Sequence, residues 1–259
     1  MITFCRKVIY SNFLISTCAS ALYYIYSQKT LSYFSINSLI FMFFSTYLGY
    51  HLLRYIPWKF QKKTINHGFI GFYKSYPFST ISSVIISIIT ILYLSMSLSQ
   101  IQIIIFILLF IFLLLYERII FKKFSFREIP YLKPFLISLI WSLSIFNLIN
   151  RFHLYGFIEC FLFTFFLCIP FDLKDIDEDK KEKIKTYPIR FEKRLPQILC
   201  LLVLISSLGF YFINKELYFL IFPFLFTLIL FKVAPKQKDL YYLFDALILI
   251  RFLFYFFQY

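Results

Sequence analysis

Residues 100–116 read QIQIIIFILLFIFLLLY, a run without a single charged side chain. A helix that crosses a bilayer needs about 20 mostly apolar residues, and about 17 are enough. The run lacks the alternation of polar and apolar residues that is typical of membrane barrel strands. Only a helix then satisfies its backbone hydrogen bonds in lipid. The stretch therefore predicts a transmembrane α-helix.

The rest of the chain has the same character. Of its 259 residues 61% are hydrophobic and 15% are charged, against about 25% charged in soluble domains. A soluble domain of this length has too little interior to bury so much apolar surface. We therefore predict an all-α, polytopic transmembrane bundle of about nine spans, forming one domain over residues 1–259. The candidate spans are about 8–27, 33–53, 78–97, 100–116, 133–149, 155–171, 196–214, 217–232 and 240–257.

The distribution of Lys and Arg predicts the orientation of the bundle. The chain carries 27 of them and a net charge of +14. All but four lie in the N-terminal tail or in the gaps after the second, fourth, sixth and eighth spans; the four are Lys29, Arg151, Lys215 and Arg251. Because basic loops stay on the cytoplasmic side, this predicts a cytoplasmic N-terminus and an external C-terminus. The positive charge is accounted for by this orientation and an anionic partner, so we expect no nucleic-acid binding.

Six of the thirteen carboxylates crowd into residues 172–182, just where the sixth span ends, and none precedes Glu117. If the helix continues, each residue turns by about 100°, so Asp172, Asp175 and Asp179 share one narrow stripe. Carboxylates on one stripe repel one another unless a cation lies among them. Oxygen ligands at this spacing suit Mg²⁺ that bridges to substrate phosphates. The alternative is a solvated loop in which lysines neutralise the aspartates.

The order Asp172-x-x-Asp175-x-x-x-Asp179, followed by Lys185-Thr186-Tyr187-Pro188, resembles the second aspartate-rich motif of the UbiA superfamily of intramembrane prenyltransferases. Nine spans with long loops on the inner side agree with that family. The resemblance implies that Asp172, Asp175 and Asp179 are catalytic residues and ligands of Mg²⁺. The substrates it implies are an isoprenyl diphosphate and a lipid-soluble or small aromatic acceptor. The abundance of Ile, Lys, Phe and Tyr predicts a bacterial chain, and so a bacterial inner membrane.

The family's first motif, an Asn-Asp-x-x-Asp-type sequence at the end of the second helix, is missing. Residues 47–54 read YLGYHLLR and contain no carboxylate. His51 and Arg54 stand in its place, and the Arg54 guanidinium has the geometry to bind phosphate oxygens directly. The resemblance implies that Lys122 and Lys123, after the fourth span, and Lys185 are further substrate-binding residues.

Two readings therefore stay open besides a prenyltransferase. One is a catalytically inactive UbiA-like protein that binds a lipid or a protein partner, and the other is a small transporter. Ionisable groups inside a membrane are costly and often functional. Asp245, in the ninth span, is a candidate to orient a basic group or to lie near the acceptor. Glu159, near the outer end of the sixth span, is expected to extend to the interface or to pair with Arg151 or His153.

Overall fold

The structure is a computed structural model. It describes residues 7–30, 34–61, 67–116, 126–149, 151, 153–181, 184–191, 194–214, 225, 227–229 and 243–258. Every regular element in these residues is helical. The α-helices are α1 (Phe13–Lys29), α2 (Ile36–Gln61), α3 (His67–Ser75), α4 (Pro77–Ser95), α5 (Gln100–Tyr116), α6 (Leu132–Ile149), α7 (Leu154–Lys174), α8 (Ile176–Lys181), α9 (Tyr187–Phe191), α10 (Leu195–Asn214) and α11 (Leu243–Gln258), and a 3₁₀ turn covers Phe126–Glu128.

Eight of the nine predicted spans coincide with a helix, and the remaining one, 217–232, lies largely outside the described residues. The prediction of an all-α membrane bundle is confirmed. Four of the described helices have the length and hydropathy to cross a bilayer, and two shorter apolar helices accompany them. The four are Ile36–Lys59, Pro77–Ser95, Leu132–Ile149 and Leu154–Leu173, and the shorter ones are Gln100–Tyr116 and Leu195–Gly209.

The first span departs from its predicted bounds. We expected an unbroken helix from residue 8, but α1 begins at Phe13. Asn12, just before it, has a φ of 66°, which is the left-handed region that an asparagine tolerates better than most residues. A separate turn of helix therefore precedes the span.

Helix α4 shows why these elements belong in lipid. Its exposed side chains include Ile81, Ile85, Ile88 and Leu92, which recur at helical spacing along one face. The opposite face is buried and carries Thr80, Ser87 and Leu94. A helix in a soluble protein has the reverse pattern, with its apolar face inward. Small polar residues at helix contacts and apolar residues outside are typical of membrane bundles.

The helices form two compact units. The first comprises Met1–Tyr24 and Phe34–Ser125, and the second comprises Ile25–Tyr33 and Phe126–Tyr259. Helix α2 packs against α4 in the first unit, where the Tyr47 hydroxyl donates to Ser83 Oγ at 2.9 Å. Helix α7 lies between α6 and α10 in the second unit. The single domain over 1–259 stays a prediction.

Candidate active site

The acidic stripe lies where α7 ends and α8 begins. Helix α7 stops at Lys174, and Asp175 forms its C-terminal cap with a φ of −91° and a ψ of 4°. This turn is close enough to helical geometry that the Asp179 amide still donates to the Asp175 carbonyl, at 2.9 Å. The three aspartates therefore stay on one side, although α7 ends at Lys174 and the sequence pattern predicted a continuous helix.

The three carboxylates converge on one cation, which is the ammonium of Lys133. Lys133 Nζ lies 2.6 Å from Asp172 Oδ1, 3.6 Å from Asp175 Oδ2 and 3.8 Å from Asp179 Oδ2. Asp172 and Asp179 are fully buried, whereas the side chain of Asp175 is 22% exposed. The sequence counts Lys133 among the basic residues between the fourth and fifth spans and gives it no role in the site. Lys133 is the second residue of α6, and its side chain faces the acidic stripe.

A second basic residue that the sequence analysis did not single out joins this cluster. Arg127, in the 3₁₀ turn before α6, donates from Nη2 to Asp179 Oδ1 at 3.1 Å. The requirement for a cation among the three aspartates was clear from the sequence. The chain offers 27 Lys and Arg residues for that role, and only the packing of α6 against α7 selects these two.

The segment after α8 packs beside the acidic cluster. The Tyr131 amide donates to the Lys185 carbonyl at 3.1 Å, and Arg190 donates to the Tyr131 hydroxyl at 3.0 Å. Thr186 is buried, whereas Lys185 is exposed. Partial burial, and then the negative charge of Asp172, raise the pKa of the Tyr187 phenol. Tyr187 is therefore a neutral group close to the acidic stripe.

Asp245, on α11, belongs to the surroundings of the same cluster. It is 6% exposed, and it acts electrostatically on the Cys168 thiol together with Asp172 and Lys133. The sequence alone placed it only within the ninth span. The second unit thus brings a carboxylate from its last helix within electrostatic range of Cys168, about one turn before Asp172 on α7.

His51 and Arg54 lie in the first unit, surrounded by aromatic rings. The Arg54 guanidinium lies 3.8 Å from the centre of the Phe69 ring, and its Nη1 donates to Asn12 Oδ1. His51 is 2% exposed and lies 4.6 Å from the Tyr47 ring, measured between ring centres. Neither of its nitrogens has a hydrogen-bond partner among the described residues. Lys122 and Lys123 lie outside the described residues.

A second buried cluster of charges lies among α1, α7 and α11. Arg251 Nη2 lies 2.8 Å from Glu159 Oε1, and the Tyr26 hydroxyl donates to the other Glu159 oxygen. We had expected Glu159 to pair with Arg151 or His153, and this is wrong. His153 instead caps α7, where its Nδ1 accepts from the Gly156 amide at 3.1 Å.

A model of the UbiA prenyltransferase family matches residues 76–240, which is more than half of the chain. The chain belongs to this family. The match begins after residues 47–54, so it does not include the segment in which the first aspartate-rich motif was expected. It does include the whole acidic stripe, Lys133 and Arg127.

Two solved structures of UbiA homologues share the fold. The one from Archaeoglobus fulgidus, bound to GPP and Mg²⁺, has a TM-score of 0.64 at 12% identity, over 97% of this chain and 98% of that chain. The apo homologue from Aeropyrum pernix K1 has a TM-score of 0.63 at 10% identity, over 91% and 94% of the two chains. At such identities the similarity shows the fold alone. None of the curated proteins matches this chain.

The Archaeoglobus fulgidus homologue binds Mg²⁺, and the acidic stripe of this chain has the donor atoms for such an ion. Three carboxylates facing one point are the hard oxygen donors that Mg²⁺ prefers. Asp172 Oδ2 and Asp179 Oδ2 are buried and accept no hydrogen bond from the described residues. The donor set therefore fits a divalent cation by its chemistry.

The spacing of the same oxygens suits an ammonium rather than a metal. They surround Lys133 Nζ at 2.6–3.8 Å, whereas Mg²⁺ binds oxygen at about 2.1 Å. Among the described residues no three His, Cys, Asp or Glu side chains are placed to hold a metal ion directly. A divalent ion would need the ammonium to move and the carboxylates to close.

Proposed function

We propose that this chain is an intramembrane prenyltransferase that moves an isoprenyl group from a polyprenyl diphosphate to an acceptor. One observation carries the proposal. Asp172, Asp175 and Asp179 face a single cation at the end of a membrane helix, in a chain of the UbiA family. A solvated acidic loop would not bury two of its three carboxylates completely.

In this proposal the acidic stripe holds Mg²⁺ through Asp172, Asp175 and Asp179. When bound, Mg²⁺ supplies positive charge that offsets the charge on a leaving diphosphate. The C–O bond between the allylic carbon and the diphosphate breaks, and its electron pair stays on the diphosphate. The nucleophile of the acceptor then bonds to that carbon and releases a proton.

The remaining parts of the site orient the substrate and exclude water. Arg127 keeps Asp179 in place, because its guanidinium is bonded to one carboxylate oxygen. Tyr187 is a neutral ring that packs on Tyr131 and Phe165 within the electrostatic range of Asp172, and its phenol is a hydrogen-bond donor. Lys185 belongs to the same proposal as a contact to the diphosphate, and four residues of the first unit stay proposed as substrate-binding residues: His51, Arg54, Lys122 and Lys123.

The site belongs at the inner face of the membrane in this proposal. The chain is a membrane protein, and its Lys and Arg residues favour a cytoplasmic N-terminus and an external C-terminus in a bacterial inner membrane. The acidic stripe then faces the cytoplasm. A water-soluble head group would reach it from that side, while the isoprenyl tail stays in lipid.

Mass spectrometry of membrane lipids, from cells with and without this protein, tests the proposal without a guess about the acceptor. We expect a prenylated species that requires the protein and falls about a hundredfold in Asp175→Asn, because one carboxylate ligand of the Mg²⁺ that offsets the charge on the diphosphate is lost. Asp177→Asn is the matched control, since Asp177 is exposed and lies on the opposite side of the helix turn. The proposal is wrong if wild type adds no species or if both variants behave alike.

A catalytically inactive UbiA-like protein is the second candidate, favoured by the absence of any carboxylate in residues 47–54. In that case Arg54 serves the packing of its own unit, through Phe69 and Asn12. The chain would bind a lipid or a protein partner. It predicts no new lipid species from any polyprenyl diphosphate, and a partner that Asp175→Asn still binds.

A further inference from the structure

The position of Lys133 has a consequence for metal binding. Its ammonium stands where the three carboxylates meet, at 2.6 Å from the nearest oxygen. A Lys side chain is a long, flexible stem with a compact charge at its end. The Lys133 side chain is 11% exposed, whereas those of Asp172 and Asp179 are 1% and 0% exposed. The exposed part of Lys133 is therefore its stem, because Nζ itself is buried together with the oxygens of Asp172.

The charges around Lys133 are unequal. Among the described residues, the ion pairs of this cluster join three carboxylates to Lys133 and Arg127, so these five side chains by themselves sum to one negative charge. Arg127 bonds to Asp179 Oδ1, while Lys133 approaches the other oxygen, Oδ2, at 3.8 Å. Displacing Lys133 would thus leave the Arg127 contact intact. With a divalent ion in place of the ammonium, the charges of the three carboxylates, Arg127 and the ion would sum to zero.

We propose that Lys133 is an exchangeable resident cation: it holds the acidic stripe together without metal, a divalent ion displaces it, and the displaced ammonium binds phosphate oxygens of the substrate. This inference rests on the proposed function, because it concerns the same site. The ammonium offers three donors and no acceptor, so after leaving the carboxylates it needs another anion. A diphosphate bridged to the metal supplies that anion within reach of the same side chain.

Lys133→Met tests the exchange, because it keeps an unbranched side chain only one atom shorter and removes its charge. The full-length protein in detergent is titrated with Mn²⁺ alone, and free Mn²⁺ is read by electron paramagnetic resonance. Inorganic pyrophosphate is then titrated at saturating Mn²⁺. We expect the variant to bind Mn²⁺ at least about tenfold more tightly, since the competing ammonium is gone. We expect it to bind pyrophosphate at least about tenfold more weakly, since a charged donor is gone.

The exchange predicts opposite changes in the two affinities of Lys133→Met, and this distinguishes it from simpler roles of Lys133. If Lys133 only stabilises the fold, its replacement should lower the affinity for both Mn²⁺ and pyrophosphate. If it only binds phosphate, its replacement should leave the affinity for Mn²⁺ unchanged. Either result overturns the inference. Lys180→Met is the matched control, because it removes the same charge from a residue that is exposed on α8. It should change neither affinity by more than about threefold, as expected for a screened surface charge.

Lys133→Arg keeps the inference testable if the methionine variant does not fold. A guanidinium fork binds two carboxylate oxygens at once and resists displacement better than an ammonium. Mn²⁺ should therefore bind at least about fivefold more weakly than to wild type. An unchanged Mn²⁺ affinity in this variant overturns the inference. The lipid analysis tests the transferase activity separately. If the protein forms a prenylated lipid but its Lys133 variants do not change Mn²⁺ binding as expected, only the exchange hypothesis is wrong.

Discussion

Arg251 and Glu159 form an ion pair that is almost fully buried in the second unit, at 4% and 2% side-chain exposure. Tyr26 completes the cluster by donating to Glu159. A buried ion pair adds little net stability over apolar residues of the same size, because both charges lose their hydration. Removing one partner is costly, because it leaves the other charge buried without compensation.

Arg251→Met should therefore destabilise the protein strongly, by about 3–5 kcal/mol. The double variant Arg251→Met with Glu159→Leu should recover most of that loss. Thermal unfolding in detergent micelles measures both. Equal losses in the single and the double variant would mean that Arg251 acts through its packing on Phe163, whose ring centre lies 4.4 Å from the guanidinium.

Helix α3 offers two glycines with very different surroundings. A Cβ built on Gly68 would collide with the ring of Tyr10, whereas a Cβ on Gly71 would meet nothing within 4 Å. Both lie in the same nine-residue helix. The pair therefore isolates the effect of close packing from that of helix propensity.

Gly68→Ala should lower the thermal midpoint, because overpacking costs about 1–3 kcal/mol. Gly71→Ala should be neutral or stabilising by up to about 1 kcal/mol, since alanine favours a helix. In a Tyr10→Ala background the cost of Gly68→Ala should disappear. If Gly68→Ala and Gly71→Ala had the same thermal midpoint in the wild-type background, the close contact between Gly68 and Tyr10 would be wrong.

At the scale of the molecule, the distribution of basic residues predicts which loops face the cytoplasm. Ser99, in the short turn between α4 and α5, falls on the external side, and Lys180 falls on the inner side. Both positions are exposed, so each accepts a cysteine that a reagent can reach.

We expect Ser99→Cys to react with a membrane-impermeant maleimide in intact spheroplasts. Lys180→Cys should react only after the membrane is opened. Reactivity of the native cysteines sets the baseline, since Cys18 and Cys160 are buried. Labelling of Lys180→Cys in intact spheroplasts would reverse the proposed orientation.

Most of the fold could be predicted from the sequence, because hydropathy is a local property of each span. The end of α7 within 172–175 could not, since one turn of near-helical backbone at Asp175 leaves the periodicity unchanged. The break at Asn12 was also invisible, because Ser11 and Asn12 interrupt an otherwise apolar run without ending it.

The sequence alone determined that this chain lives in a membrane as helices and that Asp172, Asp175 and Asp179 share one side. Both follow from composition and from the 3.6-residue period, which need no knowledge of distant contacts. The tertiary structure alone decided that Lys133 and Arg127 face those carboxylates and that Arg251 pairs with Glu159. Partners of a buried charge come from other helices, and helix packing, rather than spacing along the chain, brings them within a few ångströms.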